Sequence, residues 1–140
     1  MIAAAPIVDR LEARGCKKVE GLIEFAGLKN APAISPAYFV IPARDAAPRD
    51  SDQTGIHDQR VQAQFRVVIV VKPAVRVEGG ISRQLEEEER RVIDALIGWT
   101  HPDAAGPVNY AGGSLLSADG WGVAWAVDFR TAWRLRKGTS

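Results

Sequence analysis

Apolar and polar residues alternate most regularly between Gln59 and Lys72, where Val61, Ala63, Phe65, Val67, Ile69 and Val71 fall on one side and Gln62, Gln64 and Arg66 on the other. A period of two is the signature of a β-strand with one buried face. Val68 and Val70 make the far side apolar as well, so this end of the strand is covered on both faces and lies inside a sheet. A second alternation runs from Trp121 to Arg136. It puts Trp121, Val123, Trp125, Val127, Phe129, Thr131, Trp133 and Leu135 on one face and Asp128, Arg130, Arg134 and Arg136 on the other. With Val108 to Ser117 before it and Ala118-Asp119-Gly120 between, the pattern predicts a hairpin, because Asp-Gly supplies the backbone freedom a tight turn needs. Sixteen extended residues reach roughly 50 Å, longer than a domain of this size usually spans. Either a bulge breaks the second arm or its end projects beyond the core.

Helical spacing appears twice. Leu85, Val92, Ile93, Leu96 and Ile97 form a stripe over Ser82 to Gly98, after the break at Gly79-Gly80. Glu86 with Arg90 and Glu87 with Arg91 stand four apart in the favourable order, and the Glu86 to Glu89 run places negative charge in the first turns, where the helix dipole favours it. Glu89 is the exception, since continuing the stripe puts it on the apolar side. It predicts either a helix that overhangs the core or a carboxylate paired with an arginine across a protein interface. Pro6 to Arg14, with Ile7, Val8 and Leu11 on one side and Gly15 as terminator, reads as a short amphipathic helix. Val19 to Leu28 suits a second short helix that Gly21 and Gly27 weaken. Ala37 to Ile41 reads as a strand ended by Pro42.

Ala43 to Asp58 carries Pro48, Gly55, four aspartates and two arginines without periodicity, and predicts a long mobile loop. Arg49, Asp50, Asp52 and His57 on it, together with Glu89, Arg130, Arg134 and Arg136, are the candidate protein-interface residues. The order of elements predicts an α+β fold: one domain over residues 1–140, with a mainly antiparallel sheet, a long C-terminal hairpin and helices on one face.

Composition narrows the function. With 46% hydrophobic and 25% charged residues the chain should fold, and 18 Lys and Arg against 17 Asp and Glu give no overall field to hold a polyanion, so no specific nucleic-acid binding is expected. The alternation argues the same way, because a base-stacking platform needs rings and cations on one exposed face. The longest apolar run, Val67 to Val71, is too short for a membrane helix, and Met1 to Ala5 lacks a basic leader and is interrupted by Pro6 and Asp9. Cys16 has no disulfide partner within the chain and reads as a core residue.

No motif points to chemistry. His57-Asp58 and His101 with Asp103 match no metal-ligand spacing and read as solvated loop histidines. Gly79-Gly80 lacks the further glycines or the lysine of a phosphate loop, and Gly112-Gly113 inside a hairpin arm reads as a bulge or a close backbone approach. The four glutamates of the long helix diverge around it and cannot act as a converged acid-base pair. The expectation is therefore no enzyme activity and no metal or cofactor.

At Ala95-Leu96-Ile97-Gly98-Trp99, through Pro107-Val108-Asn109-Tyr110-Ala111-Gly112-Gly113-Ser114-Leu115, to Trp125, Asp128-Phe129-Arg130-Thr131 and Leu135-Arg136, the chain resembles the tail terminators of long-tailed bacteriophages in order and spacing. The likeness covers most of the chain loosely and its last third specifically. Two departures stand out: the family pattern has adjacent tryptophans before the Asp, where this chain has Trp125-Ala126-Val127-Asp128, and often a Tyr at the place of Trp133. The shared residues are hairpin and core residues, so no binding residue is carried over.

The resemblance implies a structural protein of the virion tail, assembled in the bacterial host cytoplasm, that caps the completed tail tube as a hexameric ring and offers the surface that meets the head. It implies a tail tube protein and a head completion protein as partners, no membrane, and a free form that is monomeric if ring contacts are individually weak. Two other classes stay open. One is a head completion or neck protein, and the other a small-molecule-binding regulatory domain with Trp99 and His101 near a pocket mouth.

Overall fold

The computed structural model describes residues 1–28, 32, 34–47, 58–72, 80–119 and 122–136. Its elements are α1 (Ala5–Ala13), β1 (Val19–Glu20), α2 (Leu22–Ala26), β2 (Ala37–Ala46), β3 (Asp58–Val71), α3 (Gly80–Leu96), β4 (Asn109–Asp119) and β5 (Gly122–Arg136). The strands form one sheet in the order β1-β2-β3-β5-β4. Only the two-residue β1 runs parallel to its neighbour, so the mainly antiparallel α+β reading holds.

β3 is central, as its doubly apolar second half requires. Its helix-side residues, from Ala63 to Val71, meet Val127 and Phe129 of β5, Tyr38 and Val40 of β2, Ile7 and Leu11 of α1, and Val92, Ala95 and Leu96 of α3 in the main core. Phe65 and Phe129 stack at 5.4 Å between centroids, and Arg10 of α1 donates to the Ala95 carbonyl of α3 at 2.8 Å, tying the two longer helices together on that face. The opposite face of the β3 end has its own smaller core of Ala37, Phe39, Val68, Val70 and Ala124. Here the fold differs from helices on one face alone: α2 lies across this second patch, with Phe25 packed on Phe39 at 5.3 Å and Leu28 beside it. Val68 and Val70 supply the reason, since apolar residues on that side must be covered too.

Two strand boundaries differ from the sequence reading. β2 does not stop at Pro42 but continues to Ala46 past a register shift between Pro42 and Arg44. β1 covers β2 only at Tyr38 and Phe39, so from Ile41 onward β2 has no neighbour on that side among the described residues, and the missing proline N–H costs no ladder bond there. Residues 43–46 and 58 of the predicted loop are therefore strand, and 48–57, with Arg49, Asp50, Asp52 and His57, lie outside the described residues. The hairpin closes at Asp119 with Gly122, further along than Ala118-Asp119-Gly120 suggested.

β5 settles the question of its length. It pairs with β3 without interruption from Val123 to Arg136, and the register shifts fall instead on its other neighbour, β4, between Tyr110 and Gly112 and between Leu115 and Ser117. Among the described residues the end projects: Arg134, Leu135 and Arg136 are exposed and pair with the start of β3 alone.

On α3 the ion pairs are Arg83 with Glu87 at 3.4 Å and Arg91 with Glu88 at 3.3 Å, not the predicted Glu86 with Arg90 and Glu87 with Arg91. Glu88 faces inward on the same stripe as Leu85 and Val92, and draws Arg91 toward it.

Candidate protein-interaction surfaces

Three places in the fold hold polar chemistry inside or beside the core. Under α3 the Tyr38 hydroxyl donates to buried Glu88, and Arg91 completes the carboxylate's partners. Burial, followed by the Glu88 hydrogen bond and charge, pushes the Tyr38 phenol far above its usual range. Buried Cys16 lies close by, and burial, with the Glu88 charge added, raises its thiol to about 11. A thiol held protonated in this way is no nucleophile at neutral pH, which matches its reading as a core residue. The group is a polar tie between β2 and α3, and the sequence reading missed it by treating Glu88 as part of a wet face. Its spacing, three after Leu85 and four before Val92, was the available signal.

His101 corrects the sequence reading. It is not solvated but fully buried, with Trp99 edge-on at 5.7 Å. Its Nδ1 accepts the Asp103 backbone N–H at 2.9 Å, which leaves Nε2–H to donate to the Ala3 carbonyl at 2.7 Å. Both ring nitrogens are thus spent on fixing the segment after α3 against the start of the chain. Asp103 contributes its backbone, and among the described residues no group of three or more His, Cys, Asp or Glu is placed to hold a metal ion. A cleft of about 270 Å³ is lined by Ile2, Ile7, Val40, Pro42, Ala63 and Phe65 among others, and does not include Trp99 or His101.

Glu89 sits on the apolar side of α3, as its spacing predicted, and has a hydrogen-bond donor there within the fold. The Trp125 indole N–H donates to it at 2.5 Å. Gly113 makes room for this contact: a Cβ there would stand 3.2 Å from the Glu89 carboxylate and 3.3 Å from the Trp125 ring. Gly112, at φ +140°, takes up the first β4 register shift. The bulge and the close approach expected of Gly112-Gly113 are both present, one at each glycine.

Beyond that contact β4 is the outer strand, and its far edge has no partner among the described residues. Tyr110, Leu115 and Leu116 are exposed along it, and no charged residue occurs from Asn109 to Ala118. Isolated proteins usually protect such an edge with lysine, proline or bulges. Here, among the described residues, the two register shifts alone do so.

The sheet face opposite α1 and α3 carries the predicted arginines. Arg134 forms a two-pronged bond to Asp58, at 2.9 and 2.8 Å, and Arg136 reaches the same carboxylate at 3.5 Å. The Arg134 bond comes first among the causes that hold the Asp58 carboxyl below its ordinary value of 3.8. Arg66 grips Asp128 in the same manner at 2.7 and 3.2 Å. Arg130 is exposed and has no ion-pair partner among the described residues. Three of the eight candidate interface residues thus share one face, and Glu89 is on the other. Arg44 and Arg60, which the sequence reading did not single out, join that face through the registers of Arg44 with Gln64 and Arg60 with Arg134.

A family model described as phage tail terminator protein matches residues 1–140. Among solved structures, a chain of "Virion of native gene transfer agent (GTA) particle" superposes with a TM-score of 0.58 over 96% of this chain and 96% of that one, at 14% identity, a likeness of fold. No curated protein matches the chain by sequence.

Proposed function

This chain belongs to the phage tail terminator family, and from that premise we propose that it caps the completed tail tube as a hexameric ring, ends tube polymerisation and provides the surface to which the head is joined. The whole chain acts as one domain in this role. Its work is done by surfaces: the buried polar groups Glu88, Tyr38 and His101 are each engaged by protein partners, and they fix the fold instead of opening onto a substrate.

The observation that carries the reading is the β4 edge. It is long, uncharged from Asn109 to Ala118 and dressed with Tyr110, Leu115 and Leu116, and it lies at one side of the sheet, while β1 and, past Phe39, β2 with Pro42 and its bulge lie at the other. Two different edges are what head-to-tail contacts in a ring require. A ring seated on the last tube disc satisfies that disc's open surface and turns outward a face that another tube subunit does not match. Many weak contacts multiplied by symmetry then hold the cap, with the free chain monomeric. In this reading Arg49, Asp50, Asp52 and His57 contact a neighbouring protein in the assembled particle.

Negative-stain electron microscopy of particles produced without this protein tests the proposal. Overlong or irregular tubes, unattached to filled heads, are expected. Tails of normal length lying beside separate heads would move the protein to the head side of the joint. Unaltered particles would overturn the capping role altogether.

A further inference from the structure

The sheet face opposite α1 and α3 is cationic out of proportion to the chain. The registers place six arginines on it, Arg44, Arg60, Arg66, Arg130, Arg134 and Arg136, with Asp58 and Asp128 in the same rows, while Glu20 and Asp119 stand on the same face away from them, level with Phe39 and Gly122. The chain as a whole has a net charge of only +1, so the remainder is net acidic. Asp128 is taken up by Arg66, and Asp58 by Arg134 and Arg136. Arg44, Arg60 and Arg130 are exposed and have no carboxylate among the described residues. Arg44 and Arg130 both stand level with Gln64 of β3, so they flank it about 10 Å apart. Arg60 lies four residues along the same strand, roughly 13 Å away, directly opposite Arg134. Like charges directly opposed across a ladder are unfavourable in an isolated sheet and become favourable when an anionic group lies over them.

We infer that this face docks a carboxylate-bearing surface of a different virion protein, with Arg44, Arg60 and Arg130 as the three contact cations around Gln62. A second copy of the chain is the poorer match through α3, where the exposed acids Glu86 and Glu87 alternate with Arg83 and Arg90 and Glu87 is already paired with Arg83. Nucleic acid is the poorer match for another reason. Asp58 and Asp128 set negative charge within the arginine rows, where a continuous polyanion would be repelled, whereas a protein can place carboxylates over the three free arginines and polar groups over the rest. The rings that could stack on bases, Trp125 and Phe129, are on the other side of the sheet.

The inference rests on the chain's place in a virion and not on capping, and the two fail separately, because particle morphology reports capping and the following experiment reports the face. Gln62, exposed between the Arg44–Arg130 row and the Arg60–Arg134 pair, is replaced by p-benzoylphenylalanine in assembling particles, which are irradiated and analysed by mass spectrometry. The expected product joins residue 62 to an Asp- or Glu-rich peptide of another structural protein. Alongside it, the triple variant R44E/R60E/R130E is expected to enter particles about tenfold less well or worse, while R14E/R83E/R90E, with the same charge change on the helix side, enters normally. Crosslinks to a second copy of the chain, crosslinks to nucleic acid, no crosslink at all, or equal incorporation of the two triple variants would each overturn it.

Discussion

The Trp125 indole N–H and the Glu89 carboxylate meet at 2.5 Å across the gap between β5 and α3, directly beside Gly113 of β4. One contact thus joins the long helix to both arms of the hairpin. Glu89→Ala should cost about 1–3 kcal/mol, since it leaves a half-buried indole N–H without its acceptor. Glu89→Gln keeps an acceptor in place and should cost less. Gly113→Ala presses a methyl group into both partners and should lower stability by roughly 1–3 kcal/mol. Urea denaturation of the three variants checks the order. Equal stability of Glu89→Ala and the parent chain would show that the contact contributes nothing.

Tyr38→Phe removes only the hydroxyl that Glu88 accepts and keeps the ring that fills the core. The buried carboxylate is then left with Arg91 alone, and a loss of about 1–3 kcal/mol is expected, as for other buried charged groups deprived of a donor. The check is the thermal midpoint of the variant, measured together with Arg91→Ala. Because both side chains serve one carboxylate, the double variant should lose less or more than the two single losses added.

Asp58 carries a pH dependence of definite sign. Its carboxyl is held below 3.8 in the fold, first by the Arg134 hydrogen bond, so the bridge's contribution is present above that value and disappears as the pH falls through the lower folded value. Carboxyl-carbon NMR should give a titration midpoint under 3.8 for Asp58 in the parent chain, moving upward in Arg134→Ala. An unchanged midpoint in the variant would remove Arg134 as the cause.

Cys16 behaves in the opposite sense. Its folded thiol ionises near 11 against an ordinary 9.0, so stability is intact below pH 9 and is lost as the pH rises through 11. At pH 8 the native thiol should resist a disulfide reagent that labels the urea-unfolded chain readily. Rapid labelling of the native protein would mean the site opens far more often than its burial implies.

The strands and the long helix were legible in the sequence because their periods are written over many residues, from Val61 to Val71, from Val123 to Leu135 and from Leu85 to Leu96. Gly112-Gly113 was legible as punctuation. Pro42 misled because a proline ends a strand only where its N–H is needed, and the side of β2 that lacks a neighbour among the described residues is a property of the assembled sheet. His101 misled for a similar reason: its two partners, Ala3 and Asp103, include one at the far end of the chain, which no local pattern reveals. Glu88 was hidden inside a run of four identical residues, two of which face inward. The arginine face was half visible, since alternation gave the side of Arg130, Arg134 and Arg136, while Arg44 and Arg60 reached it through register with other strands.

The pairing of β3 with β5 also sets how the chain must fold. Partners such as Val71 with Val123 and Asp58 with Arg136 are roughly 50 to 80 positions apart, with α3 and β4 between them. The β4–β5 hairpin can form from neighbouring residues, but the central ladder requires closure of a far larger loop before its first bond is made. Until that closure Val67 to Val71, the most apolar run of the chain, has β2 on one side and its other side open, so the slowest step of folding coincides with the greatest risk of aggregation.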